Sequence, residues 1–105
     1  MHLLWDCKST KSLWLQVQDW LRPEFNIIFT ADTILLGSPR MNNNIPINHI
    51  ILITKYYIYV SRCLDVIPIF KGLLDRIIYT IKIEKSIDAR QANIKWSTIE
   101  NIIKN

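Results

Sequence analysis

His2 and Cys7 stand in an H-x4-C arrangement. That is the spacing of the second half of a zinc knuckle. Zinc takes four ligands in a tetrahedron, and a stable structural site draws all four from the protein. The other pair, usually a C-x-x-C, would have to precede residue 1. His49 and Cys63 can also ligate, but neither has a ligand-like spacing to a partner. A plainer reading stands beside the zinc one: a His and a Cys that happen to flank the apolar cluster Leu3, Leu4 and Trp5. Other chemistry is scarce. There is no G-x-S-x-G, no glycine-rich phosphate loop and no H-E-x-x-H. The nine acidic residues are scattered, with no two adjacent. A polymerase needs clustered carboxylates to hold its two metal ions. The expectation is a chain without catalytic residues.

A second group of residues suits nucleic acid. The net charge is +4 and the isoelectric point about 9.2. Lys55, Arg62, Lys82, Lys85, Arg90 and Lys95 are candidates to meet phosphates, which supply much of the affinity and its salt sensitivity. Tyr56 and Tyr59 are candidates to stack on bases. Asp65, Asp75, Glu84 and Asp88 are interleaved with these cations, so no purely basic patch exists. The competing reading makes the lysines a solvated face and the tyrosines core, which Tyr57 suits best.

The elements that must position these residues read as helices. The 105 residues are enough for one domain; 50% are hydrophobic and 21% charged, the balance of a globular chain. Two Gly and four Pro are too little punctuation for many short strands. Leu13, Val17, Trp20 and Leu21 give one apolar face to a helix over 9–21, capped by Ser9 or Thr10 and stopped by Pro23. A shorter helix is predicted within 26–37, ending at Gly37, and a polar link over 38–44. Pro46 suits the first turn of a long helix. Along it Ile50, Ile53, Tyr57, Val60 and Leu64 share one side; Asn48, Lys55, Tyr59 and Arg62 share the other. Pro68 opens the next helix, with Phe70, Leu73, Leu74, Ile77, Ile78 and Ile81 as its apolar face. Beyond Ile81 the stripe moves to Ile83, Ile87 and Ile94, as in a helix that kinks or changes partner. Ser97 and Glu100 fit a capping box before a short last helix. The most apolar stretch, 45–60, contains Asn48, His49 and Lys55 and is shorter than the roughly 20 residues that span a membrane.

Read as a whole, HLLWDCKSTKSLWLQVQDWL (2–21) resembles the segment after the polymerase domain in LINE-type (non-long-terminal-repeat) reverse transcriptases. There an H-L-F-x-x-C zinc half motif leads into a helix with a Trp and a terminal Trp-Leu. His2, Leu3 and Cys7 match the motif; Trp14, Trp20 and Leu21 match the helix; Leu4 stands where an aromatic is commoner. The resemblance continues through Ile34-Leu35-Leu36-Gly37, then NHIILITKYYIYVSRC (48–63), then Pro68 with Phe70, Ile83-Glu84-Lys85 and Lys95-Trp96. It covers nearly the whole chain and departs from the family in one respect. Nothing upstream is present: no endonuclease, no polymerase palm, no first zinc ligands. The chain looks like a reading frame begun at an internal Met.

The resemblance implies an all-α domain over 1–105, a truncated C-terminal tail of about four helices. Two long helices would be central and the C-terminal one short, with residues 1–8 a remnant zinc motif. It implies a non-catalytic segment that assists nucleic-acid binding in the intact parent. The alternative is a helical packing or interaction module with no ligand of its own. No cofactor is expected here, and zinc only in the parent. Expected partners are RNA or DNA, weakly, and the parent's polymerase body, with no membrane and no small-molecule substrate. No signal peptide precedes Cys7, so an intracellular location, cytoplasmic or nuclear, is expected.

Overall fold

Four helices account for almost all of the residues that the computed structural model describes, 8–25 and 45–104. They are α1 (Lys8–Leu21), α2 (Ile45–Cys63), α3 (Phe70–Ile87) and α4 (Ala89–Lys104), with no strand among the described residues. The fold class is all-α, as expected. The helix predicted within 26–37, the link over 38–44 and the pair His2 and Cys7 lie outside the described residues.

In α1 the apolar spacing acts as predicted. Leu13, Val17 and Leu21 are buried, joined by Trp14 on the same side. Trp20 is half-buried and meets Phe70 of α3 edge-on, with ring centroids 5.6 Å apart. The backbone turns away after Leu21, whose carbonyl accepts the N–H of Phe25 at 2.8 Å. Pro23 cannot continue the helix.

α2 carries Pro46 in its first turn, where the absent N–H costs nothing. Its buried face is Ile47, Ile50, Ile51, Thr54, Ile58 and Ser61. This corrects the expected face, which is turned from the real one by roughly one residue step of 100°. Leu64, placed on the core side by hydropathy, is 67% exposed. Thr54 is tolerated inside because its hydroxyl donates to the Ile50 carbonyl at 2.7 Å, leaving no unsatisfied donor. The helix ends in a Schellman motif. Val66 N–H donates to Ser61 O at 2.8 Å and Asp65 N–H to Arg62 O at 3.1 Å. Asp65 takes the left-handed position, φ 57°, that Gly usually fills.

α3 begins two residues after Pro68. Its N-cap, Ile69, has no side chain able to cap, so α2 supplies the group: Tyr57 Oη accepts the Ile69 N–H at 3.2 Å. Gly72, one turn on, is what lets that ring lie against the backbone. A Cβ there would meet the Tyr57 hydroxyl and stand 3.0 Å from its Cζ. Gly72→Ala gains up to about 1 kcal/mol of helix propensity, yet the displaced ring makes a net loss of about 1–2 kcal/mol the expected outcome. In a Tyr57→Phe background the loss should shrink, because the nearest contact is gone. Urea unfolding of the four proteins measures the coupling; an unchanged loss in the Phe background would disprove the contact.

The shift of apolar stripe after Ile81 is a break rather than a kink. Asp88, φ −152° and ψ 91°, separates α3 from α4 by itself. Its carboxylate accepts the Gln91 N–H at 3.2 Å, capping α4. The expected capping box is therefore corrected: Ser97 and Glu100 lie inside α4, which runs for 16 residues and is not short. Leu73, Ile77 and Ile81 of α3 and Ala92, Trp96 and Ile99 of α4 close the core, while Ile83, Ile87 and Ile94 face solvent. No helix among the described residues is long and apolar enough to cross a membrane.

Candidate functional site

Three helices bring their polar groups together at one place. His49 comes from the first turns of α2, Glu84 from the last turn of α3, and Lys95 and Trp96 from the middle of α4. Glu84 is the hub. Its Oε1 accepts the Trp96 indole N–H at 3.0 Å and lies 3.3 Å from Lys95 Nζ. Lys95 Nζ also donates to His49 Nδ1 at 2.7 Å and sits 4.9 Å from the centroid of the Trp96 ring.

His49 Nδ1 is also 3.4 Å from Glu84 Oε2, close enough to suggest an ion pair. The ring's charge state decides against it. Burial, and then the Lys95 ammonium, hold the imidazole below its ordinary 6.5, outweighing the pull of Glu84. The neutral ring uses Nδ1 as an acceptor for Lys95 and carries its proton on Nε2. Burial pushes the Glu84 carboxyl upward, but the Trp96 indole, Lys95 and His49 outweigh it, so the net direction is down from 4.5. Each group has a partner, and together they join α2, α3 and α4. Across the same helix pair, Lys85 Nζ donates to Glu100 Oε2 at 2.6 Å.

The predicted phosphate contacts therefore divide. Lys85 and Lys95 are half-buried and committed to carboxylates. Lys82 and Arg90 are exposed on α3 and α4. Lys55 is half-buried on α2, and Arg62, Tyr56 and Tyr59 are exposed along the same helix. They are spread over three helices. What the structure does assemble is the outer face of α2: Leu52, Tyr56, Tyr59 and Cys63, all exposed. Cys63, one turn on, holds the Tyr59 phenol above its ordinary 10.0.

Known protein families, curated proteins and solved structures give no match to this chain. The function must be argued from the face itself.

Arg76 of α3 belongs to that face and was not legible in the sequence. Its guanidinium lies 5.9 Å from the Tyr56 ring centroid and 5.5 Å from that of Tyr57. Nothing local marks an arginine 20 positions from a tyrosine as its neighbour; only the α2–α3 packing does. As for metal, His49 is absorbed in the joint and Cys63 lies at the far end of α2, roughly 20 Å away along a helix rising 1.5 Å per residue. No group of three or more His, Cys, Asp or Glu gathers for a metal among the described residues.

Proposed function

We propose that this chain is a non-catalytic helical docking module, the alternative to the accessory nucleic-acid role that its resemblance to the tail of LINE-type reverse transcriptases implies. One observation carries the reading. Leu52, Tyr56, Tyr59, Leu64, Val66 and Ile67, along α2 and the turn after it, are 55% to 70% exposed. Single exposed apolar residues are ordinary, but a run along one helix edge and its continuation is the mark of an interaction surface. In the parent family the surface to be met is the polymerase body. A zinc site at His2 and Cys7 would need two further ligands.

The accessory nucleic-acid role is the second reading, favoured by Tyr56 and Tyr59 lying beside Arg62 and Arg76. Against it stand Lys85 and Lys95, whose charges are already neutralised by Glu100 and Glu84. Binding to a short single-stranded RNA and to a duplex DNA, each at low and at moderate salt, separates the two. The docking reading expects no complex with either at micromolar protein. Micromolar binding that falls steeply with salt would assign the face to nucleic acid instead.

A further inference from the structure

The outer face of α2 has the period of a coiled-coil seam. Leu52, Tyr56, Tyr59 and Cys63 follow one another at steps of four, three and four. These are the d, a, d and a positions of successive heptads. The inner face of the same helix already fills the core with Ile47, Ile50, Ile51 and Ile58. A helix buried on one side needs no second apolar stripe for its own folding.

Charges along the seam indicate what it can receive. Arg62 holds a g position beside it, and the e positions are Ile53 and Val60. Arg76 adds a cation on the e side, where it overlies Tyr56 and Tyr57. α2 contains no carboxylate. The acids nearest in sequence are Asp65, in the turn past the helix, and Asp75, next to Arg76. A second copy of this chain fits poorly. Paired antiparallel, the g positions face each other, and none of them is a carboxylate. Paired parallel, g faces the e position five residues on, so Arg62 meets only Ile67, past the end of the helix. Neither arrangement offers an anion, and g and e charges choose the partner of such a seam.

We infer that the seam of Leu52, Tyr56, Tyr59 and Cys63 receives an acidic amphipathic helix, apolar at heptad spacing and carrying Glu or Asp on both edges. The inference rests on the docking reading and names the partner's chemistry. The probes are two designed peptides of about three heptads with the same leucine seam, one flanked by Glu and the other by Lys. Each is titrated onto the full chain by fluorescence anisotropy. The Glu peptide should bind about tenfold tighter, the sum of a few exposed charge pairs, and the advantage should shrink as salt rises. Arg62→Glu should cancel or reverse the preference. Leu52→Ser with Tyr56→Ser should abolish binding of both peptides while circular dichroism stays helical.

Equal affinity for the two peptides would overturn the charge argument and leave the docking reading standing. Binding of neither would overturn the inference. A concentration-dependent dimer that loses its contact on Tyr56→Ser would give the seam to a second copy. Displacement of the Glu peptide by single-stranded RNA would overturn both this inference and the docking reading.

Discussion

Replacing Trp96 with alanine is expected to lower stability by about 3–5 kcal/mol, a large share of the 5–15 kcal/mol a domain holds in all. The residue is wholly buried. It fills the core from α4, lies 5.3 Å from the His49 ring between centroids, and gives its indole N–H to Glu84. Truncation thus leaves a cavity and strips a half-buried carboxylate of a donor together. Trp96→Phe separates the two effects. It keeps most of the volume and loses the N–H, for an expected cost of about 1–2 kcal/mol. Urea unfolding followed by far-ultraviolet circular dichroism measures both. An alanine variant as stable as the phenylalanine one would mean that the core does not rest on this ring.

Glu84→Ala is expected to cost about 2–3 kcal/mol, below the 3–5 kcal/mol of a fully buried broken pair because solvent reaches the cluster. The side chain is 28% exposed. Its removal orphans the indole N–H and leaves Lys95 with His49 alone. Glu84→Gln, which keeps an oxygen for the indole, should cost less. The cluster also sets the acid limb of stability. His49 is held below 6.5 when folded, so the unfolded chain binds its proton first as pH falls. That contribution is complete above about pH 6.5 and is lost as pH drops through the folded value. Glu84 is held below 4.5, so its contribution is complete above 4.5 and is lost further down. Thermal melts across this range should show two successive losses. Glu84→Gln should erase the lower one. In that variant His49 also loses the carboxylate that raised it, and its NMR titration should move to lower pH. An unmoved titration would remove Glu84 from the imidazole's surroundings.

How far the sequence foretold this arrangement depends on the kind of pattern involved. α1 was legible because Leu13, Val17 and Leu21 repeat at helical spacing and Pro23 ends the run. α2 was legible as a helix, but its orientation was not. Thr54 and Ser61 lie inward while Leu52 and Leu64 lie outward, and ranking by hydropathy alone reverses them. Thr54 escapes that ranking because its own helix accepts its hydroxyl proton. The end of α3 was misplaced because Ser97 and Glu100 match a capping pattern. Asp88 and Gln91, which make the actual cap contact, show the same spacing nine residues earlier. The pairings of Lys95 with Glu84 and of Lys85 with Glu100 cross the α3–α4 junction. Lysines at that separation read as free cations until the two helices are folded against each other. His49, weighed as a lone ligand, proved to be an acceptor within the same joint.

That junction has one more consequence. Asp88 alone joins two helices that lie against each other more extensively than any other pair of the described helices. The entropy of closing a loop grows with its length, and a one-residue joint leaves almost none to lose. The contacts across it are also close in sequence, which favours rapid formation. The α3–α4 pair is therefore the part of the described fold that costs the least chain entropy to bring together, and the charged clasp of Glu84 with Lys95 sits where it closes.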